Sequence, residues 1–185
     1  ENRYIYEIIP ADRARRCYFD LDGGNINCLK NAIKIIKELF GDDVPMSISG
    51  KGEGMYKGKK KWSYHIVLPT IIFKNKDEMK YLKLCIGALK NDDNGLDNLV
   101  YGSNQAIKAI NQSKDRKDKR IQKIIQDNKM TNHIISYFGK RKANGASFNK
   151  VFQKYIQVEE KKFKKKLKEK GVKIVNIKNY NNFKG

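Results

Sequence analysis

Arg16-Cys17-Tyr18-Phe19-Asp20-Leu21-Asp22, closed by Gly23-Gly24, alternates along its length with a period of two. That period belongs to a β-strand, with Cys17, Phe19 and Leu21 facing one way and Tyr18, Asp20 and Asp22 the other. Same-face neighbours on a strand lie roughly 6–7 Å apart at Cα. Two carboxylates on a rigid apolar strand can therefore converge on one or two divalent ions. In a chain this basic, such ions have an obvious task in handling phosphate.

The basic character is pronounced. Forty Lys and Arg stand against 20 Asp and Glu, a formal net charge of +20, which favours a polyanionic partner such as nucleic acid. The ordinary alternative is solubility, or a basic tail without a specific target. At 185 residues with 39% hydrophobic content, the chain can build one domain with a real core and an appendage. Cys17, Cys28 and Cys85 are scattered without zinc-ligand spacing, and the chain has only two His, so no zinc site is expected. An odd cysteine count and no signal segment point to an intracellular, reducing compartment. No apolar run approaches the roughly 20 residues that span a bilayer, so no membrane partner is expected.

Outward from the Asp strand, Tyr4–Ile9 reads as a strand ended by Pro10, and Ala11–Arg15 as a turn that would make the two strands a hairpin. Asn25 or Asn27 can cap a helix striped by Ile26, Leu29, Ile33, Ile36 and Phe40 and stopped by Gly41. Val44–Ser49 reads as a short strand, Gly50–Lys61 as a basic glycine loop, and Lys61–Leu68 as a strand stopped by Pro69, with Ile71–Phe73 a further piece. Lys76–Lys90 reads as a helix with Met79, Leu82, Ile86 and Leu89 on one face. Asn91–Gly95 is a turn cluster, Leu96–Tyr101 and Gln105–Lys114 are extended, and Lys117–Asp127 and Thr131–Phe138 look helical. Lys140–Gly145 divides a core over 1–140 from a basic, partly helical segment over 141–185. Mixed strands and helices argue for an α/β or α+β fold.

Two further constellations carry chemistry. In Lys61-Trp62-Ser63-Tyr64-His65-Ile66-Val67-Leu68-Pro69, alternation puts an ammonium, a hydroxyl and an imidazole on one face. Such a row can grip a polyphosphate, although a strand histidine serves structure as readily as chemistry. Leu96-Asp97-Asn98-Leu99-Val100-Tyr101 supplies a third acid, which could equally be a cap after its turn. Lys108 and Lys114, with Ile110 and Gln112 between them, share one strand face. The Gly50-Lys51-Gly52-Glu53-Gly54 segment lacks the Gly-Lys-Ser/Thr ending of a P-loop; a basic loop touching template or triphosphate is the preferred reading. Lysines clustered from Lys161 to Lys170 would touch backbone phosphates without reading sequence, or form a solvated linker.

The ordered set resembles the catalytic core of an archaeo-eukaryotic primase, close to the PrimPol branch and to large-DNA-virus primases, over roughly residues 3 to 115. The matching pieces are Tyr18-Phe19-Asp20-Leu21-Asp22, the Ser63-Tyr64-His65 strand motif, and Leu96-Asp97 with a terminal Ser113-Lys114. The resemblance implies a two-part core with a mainly antiparallel catalytic sheet, like an RNA-recognition module, flanked by helices. It implies that Asp20, Asp22 and Asp97 bind Mg²⁺ or Mn²⁺, and that Lys61, Ser63, His65, Lys108 and Lys114 hold an NTP or dNTP. Lys108 stands where such relatives usually carry Arg, and offers a point charge in place of a fork. The implied activity is template-dependent nucleotidyl transfer on a single-stranded DNA template and primer, at sites of DNA replication in the nucleus or a viral factory. A helicase domain or a zinc module would lie outside this chain. The competing expectations are a basic nucleic-acid-binding module without activity and a metal-dependent nuclease.

Overall fold

A computed structural model describes residues 5–56, 58–112 and 120–170. The architecture is mixed α and β, with strands β1 (Tyr6–Ile9) and β2 (Arg15–Gly23), helix α1 (Cys28–Phe40), and the long hairpin arms β3 (Ser47–Tyr56) and β4 (Lys59–Phe73). Helix α2 (Lys80–Leu89), strands β5 (Leu96–Asp97), β6 (Gln105–Lys108) and β7 (Lys123–Gln126), and helix α3 (Asn149–Glu169) complete it. Five strands form one antiparallel sheet in the order β5-β2-β4-β3-β7, and β1 pairs with β6 in a separate two-stranded ribbon.

Alternation along β2 decides what covers each face. Cys17, Phe19 and Leu21 are buried against α1, α2 and the first turns of α3, whose Ala32, Ile36, Leu82, Ile86 and Phe152 complete the core. Phe40, Phe148 and Phe152 form an aromatic cluster where α3 meets α1. The buried stripe of α1 is Cys28, Ala32, Ile36 and Leu39, and Ile26 is exposed, so the expected stripe is rotated. Small Cys28 and Ala32 let the helix lie close to the sheet, and a Cβ on Gly23 would sit 2.5 Å from that of Cys28. It is Asn25 that steadies the helix start, its Oδ1 accepting from the Asn27 N–H at 2.8 Å.

Several local expectations change. The hairpin of the first two strands does not form: both edges of β2 are taken by β4 and β5, and β1 joins β6. Glu7 anchors β1 elsewhere, its carboxylate accepting from the Ile135 and Ser136 amides at 2.9 and 2.5 Å. Gly50–Lys61 is strand, not loop, except around Gly58 at the hairpin tip. Pro69 does not end β4. The register jumps from Cys17↔Leu68 to Arg16↔Ile72, so Pro69 lies in a bulge that needs no ladder donor. That bulge is pinned by Arg141 Nη1 donating to the Pro69 carbonyl at 2.6 Å and by Asn144 Nδ2 donating to that of Thr70 at 3.0 Å.

The expected helices at Lys117–Asp127 and Thr131–Phe138 also give way. Residues 113–119 lie outside the described set, and Lys123–Gln126 is the edge strand β7. An open edge on β3 offers ladder bonds that outweigh weak helical propensity. The Gln122 and Gln126 side chains add donations to Ser49 Oγ and the Met46 carbonyl at 3.0 and 3.1 Å. Met130–His133 is a single 3₁₀ turn followed by a bend, and buried Arg16 pins this stretch, its Nη1 donating to the Thr131 and Ile134 carbonyls. Among the described residues, no helix is long and apolar enough to cross a membrane.

Candidate functional site

The face of the sheet away from the helices carries the polar residues. Antiparallel partners present their side chains on the same face. Asp20 lies opposite Asp97 on one side and His65 on the other, and His65 lies opposite Ser49. One row therefore runs Asp97, Asp20, His65, Ser49 across four strands. The next row holds Asp22 opposite Ser63, which faces Gly52, and one step on Lys61 faces Gly54. Three acids spread over 77 positions of sequence thus share one sheet face, beside the Lys-Ser-His row.

Asp97 reaches this position through a strand of only two residues. Three devices hold it. Gly95 adopts φ +62°, and its carbonyl accepts from the Asp22 N–H at 2.8 Å. Tyr18 Oη donates to the Val100 carbonyl at 2.5 Å, and Tyr101 Oη donates to the Tyr18 carbonyl at 2.7 Å. Asp97 Oδ1 accepts from the Leu99 amide at 2.8 Å, which fixes the carboxylate. A Cβ on Gly95 would lie 2.7 Å from the Gly23 backbone and would need left-handed backbone. Gly95→Ala is expected to destabilise the fold by about 2–4 kcal/mol in urea denaturation, because β5 must part from β2.

The electrostatics follow from crowding. Burial, then the charges of Asp22 and Asp97, push the Asp20 carboxyl up to about 7, and Lys61 and Lys51 only partly offset this. His65 is pushed down to about 4 by burial and by the charges of Lys108 and Lys51, so its imidazole is neutral at physiological pH. Its Nε2 lies 3.4 Å from Asp20 Oδ1, and the Lys61 ammonium lies 2.8 Å from Asp22 Oδ2. The far end of the face is covered by the ribbon and the 3₁₀ turn. They enclose a cavity of about 10 Å³, room for about one water, with Tyr18, Ser49, His65, Ile107, Lys108 and His133 among its walls. Toward Asp22, whose side chain is 38% exposed, the face is open.

Hard carboxylate oxygens suit Mg²⁺ or Mn²⁺. Among the described residues, no three His, Cys, Asp or Glu side chains close into a metal cage. Mg²⁺ seldom uses one, since it keeps several waters and takes one or two carboxylates together with substrate phosphates. Burial and then two like charges force the Asp20 carboxyl toward its neutral form, and the negative potential of the three acids is what a cation relieves. The donor set therefore fits such an ion.

Of the residues singled out from sequence, Asp20, Asp22, Asp97, Lys61, Ser63, His65 and Lys108 share this neighbourhood. Lys114 lies outside the described residues. Ser49 and His133 join them without having been picked, and Lys51 joins them from the segment expected to be a basic loop touching template or triphosphate. Alternation from Ser47 through Ser49 to Lys51 was a usable signal for Lys51; the reach of His133 to this face had none. His133 accounts for half of the chain's histidine. It is buried, with one ring nitrogen 2.6 Å from the Asp127 carbonyl. Compared with known proteins, the chain matches no family model and no curated protein.

Proposed function

We propose that this chain is a metal-dependent nucleotidyltransferase. The observation that carries the reading is the register pairing of Asp20 with Asp97, directly beside His65 and one step from Asp22 and Ser63. Within that class, a primase-polymerase of the archaeo-eukaryotic type, which makes or extends primers on a DNA template, agrees best with the order of its motifs. The five-stranded antiparallel sheet with helices on one face is compatible with the expected catalytic sheet.

Asp20, Asp22 and Asp97 would hold Mg²⁺ or Mn²⁺. When bound, such ions supply charge neutralisation on phosphate oxygens and activation of an attacking hydroxyl. The remaining work belongs to this chain's side chains. Ser63 donates its hydroxyl hydrogen, and Lys61 and Lys108 present ammonium charge to a triphosphate in the transition state. Neutral His65 adds one N–H donor without spending a proton. No side chain needs to form a covalent intermediate. The open Asp22 end admits template, primer and nucleotide, and the exposed lysines of α3 from Lys161 to Lys168 favour polyanion contact elsewhere on the surface.

The test is incubation with a primer–template, one labelled deoxynucleotide and Mn²⁺. Lengthened product is the expected result. Shortened product would replace the reading with a nuclease, and binding without either with an inactive nucleic-acid-binding module.

A further inference from the structure

A β-bulge interrupts the pairing of β3 with β4 beside the acid face. Gly50 lies opposite Tyr64, and the next paired residue, Gly52, lies opposite Ser63, so Lys51 is the extra residue. Bulges re-aim side chains and often border active sites. Alternation from Ser49, which lies opposite His65, puts Lys51 on the acid face. Gly50 points the other way, where a Cβ would sit 2.4 Å from the Tyr64 ring. Gly52 and Gly54 follow opposite Ser63 and Lys61; a Cβ at Gly52 would meet nothing within 4 Å, whereas the Arg120 guanidinium lies over Gly54.

We propose that Lys51 anchors the terminal phosphate of a nucleoside triphosphate laid across the sheet, with Gly52 as its bare floor. The inference rests on the nucleotidyltransferase reading and names the substrate part that β3 recognises. The acids stand on β5 and β2, Ser63 and His65 on β4, and Lys51 on β3. Two strand spacings, about 10 Å, separate β2 from β3. A single phosphoryl group held at the acids ends short of β3, and two more extend past Ser63 and His65 toward it. Lys51 is half-buried, and its charge reaches both Asp20 and His65, favouring the ionised carboxylate and the neutral imidazole. Lys61 is differently placed, with its ammonium on Asp22.

The experiment measures binding of nucleoside mono-, di- and triphosphates to the whole chain in Mg²⁺ buffer by titration calorimetry, without template. For Lys51→Ala, triphosphate affinity is expected to fall about tenfold or more, with monophosphate affinity unchanged. Lys51→Arg is expected to recover most of the loss, and circular dichroism matching the parent shows that both variants are folded. Equal weakening for all three nucleotides, or none, would overturn the assignment and leave the nucleotidyltransferase reading in place. If the parent chain binds no nucleotide, that reading falls, and the Lys51 assignment falls with it.

Discussion

Asp20→Ala is expected to lower primer extension about 10³-fold or more while leaving binding of single-stranded DNA nearly unchanged. Asp20 is the central member of its row, between Asp97 and His65, and the one carboxylate flanked by both other acids. Removing it takes away the oxygen nearest the middle of the charge cluster. Several kcal/mol of transition-state stabilisation depend on such a cluster with its ions, and each 1.4 kcal/mol is about tenfold in rate. Polyanion binding, in contrast, draws on a net charge of +20 spread over the chain, which one lost carboxylate hardly alters. Extension rates beside fluorescence anisotropy on labelled single-stranded DNA separate the two. Retained extension would reject the role given to the acids, and parallel loss of DNA binding would point to a folding defect.

Asp20→Asn is expected to stabilise the fold while it removes the proposed activity. In the folded chain the Asp20 carboxyl titrates at about 7, against an ordinary value of 3.8. A raised pKa contributes stability that is fully present below about pH 4 and lost as pH rises to about 7. Above that, the folded chain carries a carboxylate that burial and two like charges disfavour. Each pKa unit is worth about 1.4 kcal/mol. The loss at pH 8 is then at most about 4 kcal/mol, and about 2 kcal/mol allowing for residual solvent contact. An amide at this position cannot ionise. At pH 8 without divalent ions, Asp20→Asn should melt roughly 4–8 °C above the parent, and at pH 4 the two should coincide. Adding Mg²⁺ should raise the parent's Tm and leave the variant's nearly unmoved. Identical melting of parent and variant at pH 8 would mean that the three acids do not repel one another as their geometry requires. Sites that strain a fold for the sake of chemistry behave in this way.

Local sequence carried the parts of the fold that local forces decide. The alternation in β2 and β4 follows from a sheet with an apolar face and a polar face, so Asp20, Asp22, Ser63 and His65 could be placed on one side before any pairing was known. The stripe of α2 was legible for the same reason, with Met79, Leu82 and Ile86 buried as spaced. Pairing partners were not, because a strand does not state which edge it joins. Thus β1 passed over its neighbour β2 for β6, and β7 took the free edge of β3 although its sequence reads as helix. Pro69 misled by its usual meaning, since a wide bulge removed the need for its missing N–H. The strand that carries Lys51 was hidden by its glycines, which resemble a loop until Tyr64 and Ser63 are seen to need the space.

The brevity of β5 has a consequence for how this protein matures during synthesis. β2, β3 and β4 are consecutive apart from α1 and can associate once the first 73 residues have emerged. The phenol latch between Tyr18 and Tyr101 cannot close until the ribosome has released nearly thirty more. A nascent chain therefore holds two acids and its Lys-Ser-His row well before the third acid arrives. The three-acid cluster is completed as a discrete late step, gated by a long-range closure beside it.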